Sequence, residues 1–99
     1  MTIRDGVISN THGTDPQAGI DLEPNDSTEF LQNIIIENLT TKLNTGYGID
    51  IYLGKYSPNG ASVTIKNYSD QNNIRGGISD NFIKYMRDPV NHIIIEKVF

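Results

Sequence analysis

Hydrophobic and polar positions alternate along this chain in short bursts, and the bursts recur. Asn33-Ile34-Ile35-Ile36-Glu37-Asn38-Leu39 is echoed by Ser62-Val63-Thr64-Ile65-Lys66-Asn67-Tyr68 and by His92-Ile93-Ile94-Ile95-Glu96-Lys97-Val98. Between them runs a second phrase, Gly19-Ile20-Asp21-Leu22-Glu23, echoed by Gly48-Ile49-Asp50-Ile51-Tyr52 and by Gly77-Ile78-Ser79. Gly19, Gly48 and Gly77 are spaced 29 and 29; Ile34, Val63 and Ile93 are spaced 29 and 30. Two interleaved sets with one step are the mark of stacked repeats, each unit burying its apolar face on the next.

Within the phrases a period of two sorts the side chains, as a strand requires. Ile34/Ile36, Val63/Ile65 and Ile93/Ile95 are always aliphatic, so they are expected to face inward. The row between them, Ile35, Thr64, Ile94, tolerates threonine and is expected to face outward. In the second phrase Ile20/Leu22 and Ile49/Ile51 point in, with Asp21/Glu23 and Asp50/Tyr52 outside. Each coil therefore holds two strands, and a third short one is expected in each connection. Asn25-Asp26-Ser27, Asn44-Thr45-Gly46, Ser57-Pro58-Asn59-Gly60 and Asn72-Asn73 carry turn chemistry. Helical periodicity is weak throughout; a single turn over Asp80 to Arg87 is the best candidate. Coils are expected at about 2–30, 31–60 and 61–88, with 89–99 opening a fourth. Because the chain opens and closes in mid-repeat, it reads as one domain, 1–99, that is a piece of a longer stack.

Leucine-rich repeats share this period, and Leu31-x-x-Ile34-x-Ile36 imitates their strand. Their asparagine would then fall at Leu39, whereas it falls at Asn38, and their helix would replace the Gly-Ile-Asp-Ile strand. An all-β, right-handed parallel β-helix solenoid of about three coils of ~29 residues fits better. The phrases Asn33 to Asn38 and Gly48 to Ile51 resemble the right-handed parallel β-helix superfamily, the pectate-lyase-like fold. Gly19-Ile20-Asp21-Leu22-Glu23-Pro24-Asn25 also resembles a phrase of bacterial and phage β-helix proteins of unassigned activity. The resemblance covers nearly the whole chain and implies an extracellular or cell-surface setting. It implies a carbohydrate-directed module, part of or related to a polysaccharide lyase or glycoside hydrolase. The alternative it leaves open is a structural or adhesive β-helix of the tailspike kind. Such folds host many activities, so only a site can decide among them.

Stacking turns the period into ladders, because coils lie about 4.8 Å apart. Arg4, Glu37, Lys66 and Glu96 form an outward ladder of alternating sign. Asp5, Asn38 and Asn67, with Lys97 at the fourth level, form a turn ladder. Both are read as architecture. Asp21 above Asp50, continued by Ser79, differs, since like charges in register repel. Either solvent screens them, or one carboxyl holds its proton, or a cation such as calcium lies between Asp21 and Asp50. With Glu23 and Tyr52 alongside, Asp21, Asp50 and Ser79 make a candidate carbohydrate surface: carboxylates for hydroxyls, an aromatic face for the ring. Retaining glycosidases use two carboxyls about 5–5.5 Å apart, a separation that adjacent coils could supply. No catalytic residue is singled out. Lys55, Arg75 and Lys84 flank the strands as cations, while His12 and His92 read as turn and edge residues.

Composition narrows this further. Charged residues are 20% of the chain and the net charge is -4, against the basic clusters that nucleic-acid backbones demand. Cysteine is absent, which removes disulfides and thiolate metal sites. No apolar run approaches the roughly 20 residues of a membrane span. The outward Ile35 and Ile94, with Tyr47 and Tyr56 expected in nearby loops, keep open a homo-oligomer or stacking against further coils.

Overall fold

A computed structural model of the chain describes residues 1–14, 17–23, 31–52, 61–79 and 91–99. These hold β1 (Thr2–Ser9), β2 (Ile20–Leu22), β3 (Leu31–Lys42), β4 (Tyr47–Ile51), β5 (Ala61–Gln71), β6 (Gly76–Ile78) and β7 (Asn91–Val98), and no helix. Successive strands alternate between two sheets, one ordered β1-β3-β5-β7 and the other β2-β4-β6, and every pairing is parallel. The turns expected at 25–27 and 57–60, the helical turn at 80–87, and Lys55, Tyr56 and Lys84 lie outside the described residues.

The expected columns form. Ile20 pairs with Ile49 and Ile49 with Ile78; Ile36 pairs with Ile3 and Ile65, and Ile65 with Ile95. Ile34, Ile36, Val63, Ile65 and Ile93 are buried with Ile20, Leu22, Ile49 and Ile51 in one core, while Ile35 and Ile94 are exposed. Ile95 departs from its row at 37% exposed, because β7 is an edge strand with a neighbour on one side only among the described residues. Tyr47 is the first residue of β4 and not a loop residue.

The third strand expected in each connection has no counterpart among the described connecting residues, with 24–30, 53–60 and 80–90 lying outside them, and the long strands themselves carry a second limb. Asp5, Asn38, Asn67 and Lys97 all adopt left-handed backbone, with φ between 53 and 59, and each bends its strand. The bend inserts one residue into the alternation, so Ile36 and Leu39 both face inward although three apart. Asparagine and aspartate suit this conformation better than other side-chain-bearing residues. Their side chains also link the levels: Asn38 Nδ2 donates to Asp5 Oδ1 at 3.1 Å, and Asn67 Nδ2 to Asn38 Oδ1 at 2.9 Å.

A second left-handed column closes the long strands at Asn10, Leu43 and Asn72 (φ 61, 56 and 60). Leucine has no local hydrogen bond to offset the strain, and Leu43 is 53% exposed, so its side chain recovers little by packing. Leu43→Asn is expected to stabilise the protein by about 1 kcal/mol, read as a rise of several degrees in the thermal midpoint. An unchanged or lower midpoint would show that Leu43 is not strained.

Candidate functional site

The surface built from the sequence sits on the three-stranded sheet. Asp21 in β2 pairs in register with Asp50 in β4. Ser79 follows β6, and its N–H donates to Ile49 O at 2.9 Å, which brings it up against β4. On the next outward position Tyr52 N donates to Leu22 O at 3.0 Å, seating Tyr52 beside Glu23. The five residues named from the sequence thus come together.

They do not all face solvent. Asp50 is 7% exposed and Ser79 1%, which corrects the expectation that both lie on the outer face. Ser79 Oγ donates to Asp50 Oδ1 at 2.6 Å and itself accepts from Ile51 N at 3.0 Å. Asp50 occupies an outward position on a central strand, so Asp21 on one side and the serine on the other cover it. The pair ties β6 to β4 and sits beneath the surface. What remains on that surface is Asp21, half-buried Glu23 and Tyr52, which is 47% exposed.

Of the three outcomes open to the Asp21/Asp50 pair, the surroundings of Asp21 favour proton retention below about pH 6, and the group is mostly ionised at neutral pH. Partial burial, then the charges of Glu23 and Asp50, then a hydrogen bond with Glu23, raise its carboxyl from 3.8 to about 6. Calcium takes about six to eight oxygen ligands. Among the described residues no three His, Cys, Asp or Glu side chains gather as a metal site, so Asp21 and Asp50 would supply only a minority of such a shell.

A raised carboxyl binds its proton more tightly folded than unfolded. Its stabilising effect is therefore complete below pH 3.8 and is lost as pH rises through about 6. Asp21 is exposed, so solvent screening reduces the effect to about 1 kcal/mol. Thermal midpoints should fall between pH 4 and 6.5 and level off above. Asp21→Asn should flatten that slope and raise the midpoint at pH 7.5 by a few degrees. A slope that survives the substitution would exclude Asp21 as its source.

The remaining candidates disperse. His12 is exposed in the connection after β1, His92 is exposed near the start of the edge strand β7, and Arg75 lies in the turn before β6. Arg4 Nη1 reaches Glu37 Oε1 at 3.5 Å across the charge ladder, with Lys66 and Glu96 next in register.

A buried polar network went unread. Asn73 Oδ1 accepts from Asn44 Nδ2 at 2.7 Å and from Asn44 N at 3.2 Å. Asn73 Nδ2 donates to Thr41 O and Thr41 Oγ1, each at 3.0 Å, and to Asp70 Oδ1. Thr41 Oγ1 and the Tyr68 hydroxyl are hydrogen-bonded to each other. Burial pushes the Tyr68 phenol up, as does the charge of Asp70, while the bond with Thr41 draws it down. Asn44 continues the network to the first level, accepting from Thr11 N at 2.9 Å and donating to Ile8 O at 3.3 Å. Asn44 and Asn73 are separated by the same 29 residues as the apolar phrases, a signal that turn chemistry had masked. No family model, curated protein or solved structure matches the chain.

Proposed function

We propose that the chain is a right-handed parallel β-helix whose three-stranded sheet presents a non-catalytic glycan-contacting surface. Three features support the helical reading: in-register parallel columns, strict alternation between two sheets, and left-handed residues stacked at the same corner of each level. Parallel strands joined by crossovers are right-handed in nearly all cases, which supplies the hand. The glycan reading rests on one observation, the exposed Tyr52 ring beside the Asp21 and Glu23 carboxyls on a regular sheet. The ring offers an apolar face to a sugar and the carboxyls accept hydroxyl protons.

Burial of Asp50 argues against catalysis by the Asp21/Asp50 pair, because its Oδ1 is engaged by Ser79 beneath the surface. The acidic surroundings also disfavour polyuronates, whose carboxylates would add like charge to the face. Neutral or amino-sugar polymers suit it better.

A glycan array and a polysaccharide-cleavage screen test the reading. Binding of a neutral or amino-sugar glycan without cleavage is expected. Tyr52→Ala should weaken that binding about tenfold, a loss of about 1.4 kcal/mol, with the far-ultraviolet circular dichroism unchanged. Absence of binding across the array would sink the proposal in favour of a structural or adhesive β-helix. Binding indifferent to Tyr52→Ala would move the surface elsewhere.

A further inference from the structure

The four-stranded sheet has two outer edges that the glycan surface does not use. Among the described residues β1 pairs only with β3 and β7 only with β5, so each presents a row of unpaired backbone groups. The two edges differ in what they carry at matching positions. Following the registers, one column runs Ile3, Ile36, Ile65, Ile95 and a second runs Arg4, Glu37, Lys66, Glu96. The left-handed corner column runs Asp5, Asn38, Asn67, Lys97. In these three columns the last member complements the first: isoleucine with isoleucine, Glu96 with Arg4, Lys97 with Asp5.

We infer that the β7 edge of one molecule takes the β1 edge of a second copy, head to tail, as its next parallel strand. Arg4 of the incoming copy extends the alternation of sign that runs up the molecule, and Asp5 adds a second opposite pair on Lys97. Asp5 and Lys97 share the same bend, with φ 59 and 53, so the two L-shaped edges nest when the strands run parallel. In a two-fold β7-to-β7 pairing the strands run antiparallel, and the limbs beyond the bend would diverge. The apolar side chains on the edges follow the same register. Val98 and Phe99 of one copy come to Gly6 and Val7 of the next, and Val7, Val98 and Phe99 are all exposed in the single chain. Among the described residues the three-stranded sheet ends one level lower, at β6, so the longer sheet carries the joint. It is therefore weaker than a contact within the chain and sensitive to salt.

The 99-residue chain is to be followed by sedimentation velocity from micromolar to millimolar concentration, at low and high salt. The expected result is an open series of species that grows with concentration and shrinks with salt, as a non-closing heterologous contact gives. Lys97→Asp sets a carboxylate against Asp5 of the next copy and should weaken association at least about tenfold. Lys97→Asn keeps a residue suited to left-handed backbone without the charge and should fall between. Mixing Lys97→Asp with Asp5→Lys should restore the open series as an alternating one, because every joint between unlike variants sets opposite charges together while each variant alone opposes like charges. Should Asp5→Lys fail to fold, having lost its bond from Asn38, a mixture of Glu96→Arg with Arg4→Glu serves the same purpose. A species of constant mass at every concentration, whether monomer or closed dimer, overturns the inference, as does association indifferent to Lys97→Asp.

Discussion

Gly48→Ala is expected to cost about 3 kcal/mol or more and to leave little folded protein at 37 °C. A Cβ at Gly48 would overlap both Thr41 Oγ1 and the Tyr68 hydroxyl, and would stand 3.0 Å from Asn73 Nδ2. None of these groups is free to give way. Thr41 and Tyr68 are fully buried and hydrogen-bonded to each other, and Asn73 is held by Thr41, Asn44 and Asp70. Gly19 and Gly77 occupy the same column but meet looser surroundings. At Gly19 the nearest atom is Gly48 O at 2.8 Å, and at Gly77 it is Asp70 Cβ at 3.0 Å. Alanine at either should therefore cost less than at Gly48. A combined Thr41→Ala and Tyr68→Phe background removes both overlapping hydroxyls. The same Gly48→Ala change should cost much less there, a coupling that a double-mutant cycle measures directly. Equal cost in both backgrounds would mean that the glycine serves the backbone and not the close approach.

Asn73→Ala carries the second large effect, about 2–4 kcal/mol or a fall of some 10–20 °C in the thermal midpoint. The amide side chain joins Asn44 above it to Thr41 and Asp70 beside it. Its removal strips Asn44 N of its partner inside the protein and takes one bond each from Asn44 Nδ2, Thr41 O and Thr41 Oγ1. A buried polar group without a partner costs more than the bond itself was worth. Asn38→Ala breaks bonds of similar length on an exposed ladder, where water replaces the lost partners, so it should cost distinctly less. Chemical denaturation of the two variants side by side decides the point. Equal losses would show that burial of the inner network contributes nothing.

The step of 29 residues was legible because stacking makes distance along the chain equal to height in the molecule. Strand positions, inward rows and the outer asparagine ladder all follow from that one equivalence. What it could not reveal is how deep an outward residue lies. Asp50 and Asp21 occupy the same place in their phrases, yet one is buried and the other exposed. The difference is that Asp50 belongs to a strand with neighbours on both sides, with Ser79 reaching across to it. The glycines were read as part of a phrase, and the reason for them is steric. They face the second limbs of the long strands, where Ile8, Thr41 and Asp70 stack in register. Those limbs are hidden in the sequence because an asparagine that marks a turn can equally bend a strand that continues beyond it, as Asn38 and Asn67 do. Asn44 and Asn73 do lie in turns, as their chemistry indicates, but turn chemistry alone gives no sign that both side chains point inward.

Thr2 pairs with Ile35 across a step of 33 residues, whereas Ile20 pairs with Ile49 across 29. The surplus of four falls between Asn10 and Gly19, and the strands on either side keep their alignment regardless. This corner therefore carries extra length while the pairings on either side of it hold. It is the natural place to graft a foreign peptide, a tag or a fluorophore attachment point for display on a rigid scaffold.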